Sequence, residues 1–291
     1  MVRIWTICGA ALACLLAGWS LVCAPIPEWM RAQELYQKTE YQQVLRLLAP
    51  NLGNDAAAYS LAGKSYYFLG DYKKATHALE KAVELDPKSS DYFDWLGKVY
   101  GKRAETSSPF TAWSYAGKTR KNFERAIELD SRNLEAIDDL FEFSLNAPGF
   151  IGGGPEKAAA AAELARGVNP AKYHSLWARL AEKQKDYQTE EQHLRAALEL
   201  APSHMGRIVD MAQYLARRGR FQESDSMFER AWQVAPNSAE LKFEQAKTYI
   251  HSGRNRDAAR KLLQQYLESS LTPDDPPRSE AERLLKEASS G

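Results

Sequence analysis

Cysteine is scarce in this chain, and its three copies, Cys8, Cys14 and Cys23, all lie within the first 24 residues. The rest of the chain has none, which excludes a disulfide framework and a thiolate metal site there. An excess of charge of either sign is also missing, because 38 basic residues balance 38 acidic ones. That balance argues against a nucleic-acid-binding protein.

Catalytic patterns are missing as well. No two of the five histidines, His77, His174, His193, His204 and His251, are three or four positions apart, so no helix carries a metal-ligand pair. We expect His77 and His193, on second helices, to face solvent or the convex groove. Asp138 and Asp139 are adjacent and therefore point apart on a helix, which rules them out as an acid/base pair. Without a nucleophile elbow or a zinc-protease motif, we expect no enzyme activity, no metal and no cofactor.

Residues 1–24 contain the long apolar run of the chain. A short basic start precedes uncharged residues 4–22, and residues 22–24 resemble a cleavage site, which predicts a secretory signal peptide. The run is also long enough to span a bilayer, so a retained membrane anchor through residues 4–22 is an alternative, and lipidation of Cys14 or Cys23 is a third. Arg3 is the early positive charge, so the rest of the chain is expected in the periplasm, free or anchored to the inner membrane.

The remaining sequence repeats one apolar pattern. One position is always small (Gly63, Gly97, Ala178, Ala212 and Ala246), and a later one is large (Leu79, Phe123, Leu194, Phe228 and Leu262). A small residue in a first helix lets the second helix of the same pair approach, and the large residue fills the contact. Glycines at 70, 219 and 253 fit the turn between the two helices.

This register predicts an all-α chain of about seven helix pairs within residues 25–291. The first pair is degenerate, with Thr39 at the turn position, and residues 276–288 form an amphipathic capping helix. No segment alternates as a strand would.

The best-conserved copy of the pattern runs from residue 56 to residue 87. Its residues Tyr59, Ala62, Gly63, Tyr66, Ala75, Leu79, Ala82 and Pro87 follow the signature W-x2-L-G-x2-Y…A-x3-F…P, with substitutions at three positions. The chain therefore resembles the tetratricopeptide repeat family over about residues 25–288, and exported bacterial members in particular. The resemblance implies a right-handed α-solenoid of antiparallel helix pairs whose concave groove, lined by first helices, binds peptides or protein surfaces.

The groove positions implied by the resemblance are aromatic at one end and acidic in the middle. We expect five of them to contact a partner: Tyr67, Asp94, Trp95, Asp138 and Glu142. The partner segment would be basic or of mixed charge. The alternative is that these residues form an ordinary solvated face.

Two insertions interrupt the register. The first lies within residues 101–118 and carries Phe110, Trp113 and Tyr115, which either contact a partner or pack on their own repeat. The second, residues 147–155 with sequence APGFIGGGP, predicts a tight structural turn. A partner-facing loop is the alternative there, and an anion site is disfavoured because the lysine and hydroxyl of a P-loop are missing.

Our leading hypothesis is a non-enzymatic scaffold of the cell envelope that binds a protein or peptide in its groove. One alternative is a periplasmic solute-binding accessory of a transporter, with a closed apolar pocket near Trp113 and Tyr115. Another is an envelope-assembly factor that acts as an oligomer. The partner's identity and the oligomeric state stay open.

Overall fold

The computed structural model describes residues 28–50 and 52–289, and every regular element in them is helical. The predictions for residues 1–24 lie outside these residues. No helix in the described part is long and apolar enough to cross a bilayer. The helices are, in chain order, α1 (Glu28–Gln37), α2 (Tyr41–Leu48), α3 (Ala56–Phe68), α4 (Tyr72–Leu85), α5 (Ser90–Glu105), α6 (Pro109–Leu129), α7 (Leu134–Asn146), a short 3₁₀ helix (Gly149–Ile151), α8 (Pro155–Leu164), α9 (Pro170–Gln184), α10 (Tyr187–Leu200), α11 (Met205–Arg217), α12 (Phe221–Val234), α13 (Ala239–His251), α14 (Arg256–Leu267) and α15 (Arg278–Ser289).

Consecutive helices pack as pairs, from α1 with α2 to α13 with α14, and α15 packs on α14. Each second helix also contacts the first helix of the next pair. First helices contact one another across pairs, as in α3 with α5, α5 with α7 and α11 with α13. The first helices of neighbouring pairs therefore form one continuous face of the stack. The predicted all-α solenoid is confirmed.

Side chains at the helix starts explain why the helices begin where they do. Asp55, Ser89, Asn133 and Asn169 each accept a hydrogen bond from a backbone N–H group in the first turn of the helix that follows. These bonds satisfy donors that the helix itself leaves unpaired. The starts of these helices are therefore specified by local hydrogen bonds that do not depend on packing between pairs.

The small residues act within each pair as predicted. A Cβ atom added at Gly63 would lie 2.6 Å from Leu79 Cγ, and one added at Gly97 would lie 2.5 Å from the Phe123 ring. Leu79 and Phe123 are both buried and belong to the second helix of the same pair. The two helices can reach this separation only because the first one has no side chain at the contact.

The turn positions also follow the prediction. Gly70 and Gly219 have φ of 76° and 72°, in the left-handed region that glycine adopts most readily. In the degenerate first pair Thr39 takes a φ of 59° at the same place. That turn is therefore strained, which agrees with its position in an atypical terminal repeat.

The second insertion is a structural turn. The N–H groups of Gly152, Gly153 and Gly154 donate to the carbonyl oxygens of Gly149, Pro148 and Ser144 at 3.0, 3.2 and 2.8 Å. A Cβ atom added at Gly153 would lie 1.8 Å from the Ala147 carbonyl oxygen. These amide groups already donate hydrogen bonds to carbonyl oxygens of the turn and of α7, so they do not form an anion site.

Candidate protein-binding surface

Charged side chains join neighbouring first helices along the concave side. Three ion pairs make the main connections, from Lys64 to Asp91 at 2.8 Å, from Lys98 to Asp139 at 3.1 Å and from Asp138 to Lys172 at 2.8 Å. They link α3 to α5, α5 to α7 and α7 to α9. We call these six residues the inner charge ladder. Each contact crosses from one helix pair to the next, so the ladder holds adjacent repeats in register.

Lys98 is the most connected member of the inner charge ladder. Its Nζ atom lies 2.9 Å from an oxygen of Asp94 and 3.6 Å from one of Glu135, in addition to Asp139. It also lies 4.7 Å from the ring centroid of Trp95. The ammonium group is thus held between three carboxylates and an aromatic face, in a largely buried position.

Asp94 has an unusual environment for a carboxylate. Its side chain is 1% exposed, and neither oxygen has a well-aligned hydrogen bond to another described residue, although Lys98 is within ion-pair distance. Burial raises the pKa of Asp94 to about 7, with nearby Asp139 adding to the rise and Lys98 opposing it. A partner cannot touch Asp94 directly, so the predicted contact at this residue can act only through Lys98.

Asp138 and Glu142 pair with basic residues of α9, in the next helix pair. Asp138 accepts an ion pair from Lys172 and another from Arg179, at 2.8 and 3.1 Å, and Arg179 also contacts Glu142. Asp139 instead points back to Lys98. The two adjacent aspartates therefore point apart, as the sequence predicted.

The acidic residues of α5 and α7 are largely neutralised by their own neighbours. Two carboxylates keep substantial exposure, with 74% of the Glu135 side chain and 48% of the Asp91 side chain accessible to solvent. Neither of these two acids was among the predicted contacts. They are the ones best positioned to meet a cation on a partner.

Aromatic rings lie next to the inner charge ladder, on first helices α3 and α5 and at the starts of second helices α2 and α4. We call Tyr41, Tyr67, Phe68, Tyr72 and Trp95 the aromatic patch. Tyr67 meets Trp95 edge to face at 5.6 Å, and Phe68 lies 5.9 Å from Trp95. Lys64 and Lys98 both approach the Trp95 ring, at 5.0 and 4.7 Å. Trp95 thus connects the patch to the ladder, and the predicted residues Tyr67 and Trp95 are brought together.

The aromatic side chains of the first insertion lie in two different environments. Tyr115 stacks on Tyr100 at 5.9 Å and lies under the Arg103 guanidinium at 4.2 Å. Trp113 and Phe110 are instead 62% and 91% exposed. Rings this open do not wall a closed pocket, so the solute site expected near Trp113 and Tyr115 gains no support.

Two histidines meet although no spacing in the sequence predicts their contact. The Nδ1 atoms of His174 on α9 and His193 on α10 are 2.9 Å apart, and His193 stacks on Trp177 at 5.8 Å. His77 is exposed, whereas His193 is half-buried because it packs against these rings. Burial lowers the pKa of both paired histidines. The described residues contain no group of three side chains arranged to hold a metal ion.

Comparisons with known proteins agree with this architecture. Tetratricopeptide repeat profiles match residues 56–89 and 209–276. A tetratricopeptide repeat protein of Parabacteroides merdae is similar with a TM-score of 0.59 and 12% identity, over 90% of this chain and 98% of that one. A thermophilic repeat protein of Thermus thermophilus gives 0.50 and 20%, over 67% of this chain and 98% of that one. A chain of the APC/C hetero-tetramer gives 0.50 and 14%, over 89% and 48%. No curated protein sequence matches.

Proposed function

Since the chain is a tetratricopeptide repeat protein and thus of a type that binds other proteins, we propose that it is a non-enzymatic scaffold of the cell envelope that holds a segment of a partner along its concave side. The observation that carries this proposal is the arrangement of the first helices. They present one continuous face on which Tyr67, Phe68 and Trp95 lie beside carboxylates that remain open to solvent.

The charges of this face define the partner. Most carboxylates are already paired within the inner charge ladder, and they contribute rigidity more than attraction. Asp91, although paired with Lys64, and Glu135, although 3.6 Å from Lys98, keep 48% and 74% of their side chains exposed, so the partner segment would place lysine or arginine side chains opposite them. Apolar side chains of the same segment would cover Tyr67 and Trp95, because aromatic surfaces are favoured anchors at interfaces.

Site-specific photo-crosslinking in living cells tests the groove. A photoreactive residue at Glu135 should capture a protein that the same residue at Glu128 does not, because Glu128 is comparably exposed at 65% but lies on second helix α6. The charge reversal Glu135→Lys should weaken recovery of that protein, and Glu128→Lys should not. Capture at Glu128 alone, or recovery unchanged by Glu135→Lys, would contradict the groove assignment.

The location is proposed from residues 1–24 alone. Fusion of a phosphatase that is active only outside the cytoplasm, placed after Gly291, should give an active reporter. Amino-terminal sequencing of the purified protein then separates a cleaved signal, which gives a start near residue 25, from a retained anchor. An inactive fusion would contradict export.

A further inference from the structure

A cavity of about 570 Å³ lies between the two ends of the described chain. One wall is formed by four residues of the aromatic patch, Tyr41, Tyr67, Phe68 and Tyr72. The opposite wall is the connection between α14 and α15, residues 271–279. The solenoid therefore curves until this loop near its carboxyl end faces helices α2 to α4 near its amino end. The volume is within the range of about 300–1,000 Å³ that is typical of binding pockets in proteins.

The aromatic wall is ordered by ring contacts. Tyr41 stacks on Phe68 with centroids 4.8 Å apart and planes 6° apart. Tyr67 meets Phe68 edge to face at 5.5 Å and Tyr72 at 5.8 Å. Phe68 remains 36% exposed. The wall thus offers flat, preformed apolar faces, and little side-chain entropy remains to be lost on binding.

The opposite wall is fixed by its own hydrogen bonds. The Thr272 amide and hydroxyl both donate to Asp275, at 2.8 and 2.9 Å, and Arg278 donates to the Ser269 carbonyl oxygen at 3.2 Å. Leu271 is buried in the carboxyl-terminal core. These contacts make the loop a stable wall and not a lid that closes over the cavity.

Charged groups at the cavity already have partners. Lys102 pairs with Glu105 at 2.9 Å, and the two charged loop residues are engaged as described above. What remains open to a ligand is mainly aromatic surface. Three prolines of the loop, Pro273, Pro276 and Pro277, line the same cavity. The chain therefore already places proline rings opposite its aromatic wall.

We propose that this cavity binds a proline-containing segment of a partner polypeptide, whose rings pack against Phe68 and its neighbours. Proline suits the site because it brings a flat apolar ring and no backbone N–H group that would need an acceptor. Proline-rich segments are also extended before binding, and aromatic-lined grooves recognise them for that reason. The inference rests on the proposed scaffold function and assigns a partner chemistry to one end of its groove.

Fluorescence anisotropy with the purified full-length chain tests the proposal directly. The probes are fluorescein-labelled octaproline and a labelled glycine-serine peptide of the same length. Octaproline should bind saturably and at least tenfold more tightly than the glycine-serine peptide. Phe68→Ala should weaken octaproline binding at least fivefold, whereas Phe110→Ala, which removes a 91% exposed ring on α6, should leave it unchanged.

Thermal unfolding followed by circular dichroism checks that the Phe68→Ala chain is folded, and Tyr41→Ala provides a second variant of the same wall. Equal affinity for the two peptides, or octaproline binding that survives both wall variants, would overturn the proposal. Capture of a partner at Glu135 without octaproline binding would reject this inference and leave the scaffold function standing. Octaproline binding without any capture at Glu135 would support the site and count against the wider groove.

Discussion

Replacing Asp94 by asparagine tests the electrostatics of the inner charge ladder. The pKa of Asp94 is about 7 in the folded chain, against an ordinary value of 3.8. The folded state therefore binds more protons than the unfolded state between these values, and its stability falls as the pH rises through that window. One pH unit of differential protonation is worth about 1.4 kcal/mol, so Asp94 costs on the order of 2–3 kcal/mol between pH 5 and pH 8.

Asp94→Asn should remove this cost. Urea unfolding followed by circular dichroism at pH 5 and pH 8 should show the variant gaining on the order of 2–3 kcal/mol relative to the natural chain as the pH rises. Asp257→Asn is the control, because its carboxylate is 91% exposed and a surface ion pair is worth less than about 1 kcal/mol. If Lys98 rather than burial governs Asp94, the variant will be less stable at pH 8, and parallel stability curves for variant and natural chain would equally refute the reasoning.

Three further predictions use the same unfolding measurement. Burial, together with the positive charge of Arg166 near His174, lowers the pKa of the paired histidines, so stability should fall as the pH drops below about 6.5; His193→Gln should reduce that fall, and an unchanged pH dependence would contradict it. Gly153→Ala should cost about 3 kcal/mol or more, because its methyl group would overlap a backbone carbonyl, and a neutral result would sink the turn assignment. Gly117 is in helix α6, and a Cβ atom added there would have no other heavy atom within 4 Å. Gly117→Ala should therefore raise the free energy of unfolding by about 0.5–1 kcal/mol, and a decrease would contradict this reasoning.

The helix pairs were predictable because their signals are local. Gly97 and Phe123 belong to one pair, and the size of one dictates the size of the other. Gly70 marks a turn by its backbone conformation alone. Such constraints recur in each repeat, so one register read along the chain is enough to place the helices.

Contacts between repeats were harder to predict because they depend on how successive pairs are rotated. The contact of His174 with His193 lies within one pair, α9 with α10, and its spacing of 19 positions has no fixed meaning either. The ion pairs carry a weak signal that could have been used. Lys64 with Asp91 and Glu190 with Arg217 are each separated by 27 positions. A search for opposite charges at that spacing would have found both.

Exposure of the predicted contacts could not be read from the sequence either. Asp94 and Glu135 occupy the same concave side, yet one is buried and the other largely open. The difference arises because Asp94 lies beneath Lys98, which reaches across from its own helix to α7. Only the packed structure fixes which acid is covered.

The 271–279 loop faces the amino-terminal helices across the cavity, and this arrangement limits how the number of repeats can change during evolution. Tandem arrays commonly gain or lose units by duplication and deletion, and an open array tolerates either change. Here an additional unit would carry the final loop past the opening helices, and a lost unit would leave it short of them. Selection that preserves the cavity would therefore hold the number of repeats constant while the sequences of the inner repeats diverge.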